Sequence, residues 1–116
     1  MPNRDDAWIL DMLLAARKAR QFASGANRDT FLADEVLQNA VMRQLQIVGE
    51  AASRVSEAGK AAHPSVPWRA IVGMRHRLVH DYVNIDSQLV WGVLENDLEP
   101  LIEVLEKSVP GAPGAA

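Results

Sequence analysis

The sequence predicts an all-α protein. Apolar residues recur at three- and four-residue spacings through most of its 116 positions, alternating strand patterns are nearly absent, and Gly, Pro and Asn cluster between the periodic runs. The expected architecture is a small four-helix bundle of the up-down type, with room for an extra short helix. One domain is expected over residues 1–108, followed by a disordered tail, 109–116, that is rich in Pro, Gly and Ala.

The first segment runs from about Asp6 to Phe22, where Trp8, Ile9, Met12, Leu13 and Ala16 form one stripe. Ser24-Gly25-Ala26-Asn27 breaks it. A second helix is expected to start with Asp29 or Thr30 as its cap and to continue unbroken through Leu32, Val36, Leu37, Ala40, Val41, Leu45, Val48, Ala52 and Val55. This longest run reads as the spine of the domain, ended by Gly59 and the His63–Pro67 stretch. Gly49 sits within it at a propensity cost of about 1 kcal/mol. Either another element approaches closely there or the glycine is merely tolerated. A third helix opens at Ser65-Val66-Pro67, with Pro67 near the first helical position, where its missing donor matters little. The fourth begins at Asp86 as N-cap and carries Leu89, Val90, Val93, Leu94, Leu98, Leu101, Ile102 and Leu105, with a kink expected at Pro100.

Composition narrows the function classes. Apolar residues make up 48% of the chain, enough for a compact core, and the absence of cysteine excludes disulfides and thiolate metal sites. The N-terminus lacks the basic region and long apolar run of a signal peptide or membrane span, so a cytoplasmic protein is expected. The net charge of -3 argues mildly against non-specific nucleic-acid binding, but the charge is uneven. No acid falls between Glu57 and Asp81, where Lys60, Arg69, Arg75 and Arg77 lie, whereas seven acids and only Lys107 follow from Asp81 onward. Such a segment is either a local phosphate site or a solvated basic face.

Placed on a helix, Trp68, Ile71, Val72 and Val79 cluster within about 100° of arc, and Arg75 falls in the middle of that stripe. A guanidinium there must be paired, or must face a cavity or a partner subunit. His76 and His80 share a neighbouring face, and Tyr82 returns near Arg75. Arg75 and His80 are about 140° apart on a regular helix. Either the backbone loosens near Val79–Tyr82, or two copies of the chain contribute to one site; the second is favoured. Each residue also has a structural alternative. Arg75 could pair with Glu50, His80 could bridge helices, and Tyr82 could be a core aromatic with its hydroxyl at the surface.

The run Arg75-His76-Arg77-Leu78-Val79-His80-Asp81-Tyr82 resembles the R-x4-H-x-Y motif of HepT-like toxins in the HEPN superfamily. Pro67-Trp68, Gly73-Met74, Asn84-Ile85-Asp86, Val90-Trp91 and Ile47-Val48-Gly49-Glu50-Ala51 extend the likeness over nearly the whole chain apart from its tail. The resemblance implies an HEPN-like fold and a metal-independent endoribonuclease, active as a homodimer on RNA (tRNA or mRNA), with no cofactor. It places Arg75 and His80 in the catalytic roles, with His76, Arg77 and Glu50 as supporting or RNA-binding residues. It also implies a cognate minimal nucleotidyltransferase antitoxin that transfers AMP to Tyr82. The chemistry suits the residues. RNA supplies its own nucleophile, the 2'-hydroxyl, so the protein need only move protons (His80) and offset phosphate charge (Arg75).

Three competing readings remain at this point. The chain could be an inactive HEPN module that only docks a nucleotidyltransferase. It could hold a metal through His76 and His80, although no third ligand or H-E-x-x-H pattern accompanies them. Or it could be a purely structural helical dimer, which leaves Arg75 unexplained.

Overall fold

The structure, a computed structural model, describes residues 4–80 and 86–109, leaving aside the side chains of Val79 and His80. Expectations about Tyr82 and about the tail beyond Val109 fall outside the described residues. Among the described residues every regular element is helical. No helix is long and apolar enough to cross a membrane.

Helix α1 (Arg4–Ala23) carries acids in its first turn and Arg20 in its last, in keeping with the helix dipole. It buries Ile9, Met12, Leu13, Ala16 and Ala19, and Gly25 ends the turn behind it with φ 83°, a left-handed conformation that glycine adopts without strain.

The expected single second helix is two. Helix α2 (Arg28–Leu32) is capped by Asn27 rather than by Asp29 or Thr30: the Asn27 side chain accepts the Thr30 N–H, and the Thr30 hydroxyl accepts the Asn27 N–H, both at 2.9 Å. The chain breaks at Ala33-Asp34 and restarts as α3 (Glu35–Arg54), with the Asp34 carboxylate accepting the Leu37 N–H at 3.0 Å. Buried Gln38 stabilises the break: its amide donates to the Leu32 carbonyl and to the Phe31 carbonyl, which also accepts the Asp34 N–H at 3.2 Å. The restart leaves Val36 81% exposed, so it is surface and not core as the unbroken helix required.

Helix α4 (Glu57–Ala62) is the extra short element. Ser56 caps it, accepting the Gly59 N–H at 3.0 Å, and Asp5 of α1 accepts from both the Ser56 N–H (2.9 Å) and its hydroxyl (2.5 Å). The Ser56 hydroxyl, the Ser56 amide and the nearby His63 hold the Asp5 carboxyl below its ordinary 3.8. Because the folded value is the lower one, this clamp is complete above the ordinary carboxylate pKa and is lost as pH falls through the lowered one. Amide exchange at Ser56 is therefore expected to accelerate only below about pH 3.8, and Asp5→Asn should abolish that transition. An acid transition at Ser56 that persists in Asp5→Asn would refute the clamp.

Helix α5 (Trp68–His80) starts one residue later than expected, with Pro67 as the capping residue whose carbonyl accepts the Ile71 N–H at 3.1 Å. The Trp68 indole donates to the His63 carbonyl and ties the α4–α5 connection to the helix start. Helix α6 (Ser87–Gly92) begins as expected at Asp86, which accepts the Leu89 N–H at 3.0 Å. It runs through one π-helical turn (Val93–Asp97) into α7 (Leu98–Ser108). In that turn the Leu98 N–H reaches back five residues to the Val93 carbonyl. The widened turn sits directly before Pro100, which has no N–H for Asn96, so the irregularity expected there takes the form of a π-turn.

The long helices pack side by side. Asp5 meets Ser56 at the far end of α3, so α1 and α3 run antiparallel; Arg17–Glu106 (3.0 Å) and Arg20–Glu99 (2.7 Å) set α7 antiparallel to α1. Helix α5 leans on the opposite side of α3. The core joins Ile9, Met12 and Leu13 to Val41, Leu45 and Val48, closed by Ile102 and Leu105 of α7. Phe31 is fully buried and its ring meets Trp91 of α6 at 5.4 Å.

Candidate functional site

The acid-free segment becomes α5, and its register decides what each candidate residue can reach. The buried positions of α5 are Ile71 and Leu78, with Trp68, Val72 and Met74 half-buried beside them. That face keeps the predicted Trp68, Ile71 and Val72 and extends past them toward Leu78 and Met74. Arg75 lies within that face, between Ile71 and Leu78 on one side and Trp68 and Val72 on the other, as the stripe predicts. Arg75 is itself only half-buried, which eases the conflict noted in the sequence. The aliphatic stem can be covered while the guanidinium stays near water.

The stem lies against Gly49 of α3. A methyl group built on Gly49 would overlap the Arg75 Cβ and come within 2.9 Å of its Cγ and 3.1 Å of its Cδ. The glycine is thus explained by close approach of another element, the first of the two alternatives open at that position. Among the described residues no acid forms an ion pair with Arg75. Glu50 instead lies 3.4 Å from Arg54, whose guanidinium sits 5.1 Å over the Trp8 ring. The pairing of Arg75 with Glu50 is not made.

The other candidates are spread around the helix. His76 is exposed. Arg77 is exposed on the far side of α5, about 200° from Arg75, at the mouth of a cleft of about 650 Å³ between α5 and the α6–α7 helix. Ile71, Met74, Val93 and Leu101 line that cleft, with Asn96 and Asp97 at its edge. Glu50, with Trp8 and Arg54, borders a separate shallow hollow between α1 and α3. Arg75 and Glu50 are thus neighbours in the fold but face apart, and Arg77 is turned away from both.

The helix runs without interruption through His80, so the backbone does not loosen between Arg75 and His80. Their registers remain about 140° apart. Among the described residues no three His, Asp or Glu side chains gather closely enough to hold a metal ion. Two features escaped the sequence reading: the Trp8–Arg54–Glu50 cluster and the apolar cleft beside α5. An aromatic placed early in α1 and the paired charges at Glu50 and Arg54 were the available signals for the first. The cleft depends on the spacing of two helices and has no local signature.

A family model described as "Ribonuclease HepT-like" matches residues 12–108. The chain is 31% identical over 107 residues to a Methanocaldococcus jannaschii protein named "Putative RNase MJ1380", covering 91% of this chain and 98% of that one. A second protein of the same organism, "Putative RNase MJ0127", is 30% identical over 115 residues, with 98% and 95% covered. "Probable ribonuclease HepT" of Thermococcus cleftensis is 32% identical over 100 residues, with 86% and 91% covered. No solved structure gives a significant match.

Proposed function

This chain belongs to the HepT-like ribonuclease family, and from that premise we propose that it is a toxin that cuts RNA without a metal ion and is silenced by AMP transfer to Tyr82. The observation that carries the reading is Arg75. Its stem is packed against Gly49, its guanidinium has no acid partner among the described residues, and it lies on a segment free of acids. A cation held in this way is available to an anion from outside the chain, and a phosphodiester is such an anion.

In the proposed reaction His80, as the neutral imidazole, takes the proton of the RNA 2'-hydroxyl. The 2'-oxygen attacks phosphorus, the bond to the 5'-oxygen breaks, and that oxygen leaves with a proton returned by an imidazolium. Arg75 offsets the charge that builds on the non-bridging oxygens. The products are a 2',3'-cyclic phosphate and a 5'-hydroxyl. Two chains complete the site in this proposal. The unbroken course of α5 supports it, because positions 75 and 80 stand about 140° apart on a regular helix. His76, exposed beside Arg75, would meet RNA next to the scissile phosphate, whereas Arg77 and Glu50 would touch it only along a longer path.

The purified protein, incubated with tRNA and mRNA in EDTA, should release fragments ending in 2',3'-cyclic phosphate. Fragments with free 3'-hydroxyls, or activity abolished by the chelator, would count against the mechanism.

The silencing partner is a minimal nucleotidyltransferase. The Tyr82 hydroxyl would attack the α-phosphorus of ATP and displace pyrophosphate, leaving a bulky anion two residues after His80. Mass spectrometry after incubation with the partner and ATP should find AMP on the wild type and none on Tyr82→Phe. An adduct of equal yield on Tyr82→Phe would remove Tyr82 from this role.

A further inference from the structure

We propose that Gly49 is a positioning residue for Arg75: the missing side chain on α3 forms the track along which the arginine stem is laid. The inference rests on the reading of Arg75 as the phosphate-binding group. Glycine is disfavoured inside a helix, and Gly49 is buried near the end of the twenty-residue α3. The atoms crowding its missing Cβ are, in order, Cβ, Cγ and Cδ of one side chain. The arginine therefore runs along the glycine and does not merely touch it with its tip. Gly73 and Gly92, also helical, have nothing within 4 Å of a Cβ, and helical Gly59 is crowded by the tips of Asp5 and Val55 and not by a stem Cβ from another helix.

Two physical points give the contact consequences. First, the Cβ of Arg75 is fixed to the α5 backbone, so no rotamer change relieves an overlap there. A methyl group at position 49 must push α5 itself away, by a distance on the order of an ångström. Ile71 and Leu78, buried one turn to either side, resist that retreat. Second, a guanidinium is usually held in place by a carboxylate, and among the described residues Arg75 has none. The groove at Gly49 takes over that orienting task without neutralising the charge. Glu50, the adjacent acid, pairs with Arg54 at 3.4 Å instead.

The test compares Gly49→Ala with wild type, Arg75→Ala and the control Gly92→Ala in the full chain, using a fluorogenic RNA oligonucleotide. Misplacing a catalytic group by about an ångström costs roughly a hundredfold. Folded Gly49→Ala should therefore lose about that much in kcat, with KM changed only several-fold, while Gly92→Ala keeps wild-type kinetics. A Gly49→Ala protein with wild-type kcat, beside an inactive Arg75→Ala, would overturn the positioning role and leave Arg75 in place. Full activity in Arg75→Ala would instead defeat the underlying functional reading.

Should Gly49→Ala not fold, the wild type still decides. Nitrogen-15 relaxation should show the Arg75 Nε–H nearly as rigid as backbone (order parameter about 0.85) and that of exposed Arg77 mobile (below about 0.6). Equal mobility of the two would overturn the proposal.

Discussion

Arg75→Ala is expected to lower kcat for RNA cleavage by about 10²–10³-fold, the usual cost of removing one group that offsets transition-state charge. His80→Ala should cost about 10²–10⁴-fold, the span for a general acid–base. The loss in Arg75→Ala should not reflect unfolding. Arg75 makes no ion pair with a described acid, so its removal leaves no buried charge unmatched, and only the packing of its stem on Gly49 is lost. Circular dichroism and the thermal midpoint, read beside the rates, separate the two causes. An Arg75→Ala protein that is folded and fully active would remove the guanidinium from the chemistry, and the same outcome for His80→Ala would remove the imidazole.

The largest effect on stability is expected far from α5, at Phe31. Its side chain is fully buried, stacks near Trp91 and anchors a helix of five residues that cannot persist without tertiary contacts. Phe31→Ala should destabilise the protein by about 3–5 kcal/mol. That is a large part of the roughly 5–15 kcal/mol typical of a whole domain. Val36→Ala, a few residues on but exposed, should stay within about 0.5 kcal/mol. Urea midpoints of the two variants check the contrast; similar midpoints would contradict the assigned burial.

The parts of the fold legible from the sequence are those governed by local chemistry. The apolar stripe of α1, the Asp86 cap and the long periodic run of α3 each follow from residues close together in the chain. The break at Ala33-Asp34 was not legible, because apolar periodicity continues across it. What stabilises the break is Gln38, whose amide reaches back to carbonyls six and seven residues earlier. An extra short helix was expected but its place as α4 was not legible for a similar reason, since Asp5, fifty-one residues away, completes its cap. Pro100 announced an irregularity, but its form as a π-turn depends on how Val93 and Leu98 share a hydrogen bond.

The candidate site divides along the same line. Arg75 stood out as a charge on an apolar stripe, and Gly49 as a glycine within a helix. That the two are a single contact is a property of how α3 and α5 pack. The stripe is wider than the sequence indicates, because Leu78 is buried in it while Trp68 and Val72 stay half-buried. Glu50 was grouped with Arg75 by sequence and is separated from it by its pairing with Arg54.

The central claim, that Arg75 of one protomer works with His80 of another, is tested most directly by complementation. Arg75→Ala and His80→Ala chains carrying different tags would be coexpressed, and the mixed dimer isolated and assayed for RNA cleavage. A two-fold dimer of this kind retains one composite site with both residues intact, so about half of the wild-type activity should return. A mixed dimer as inactive as either parent would show that Arg75 and His80 act within a single chain.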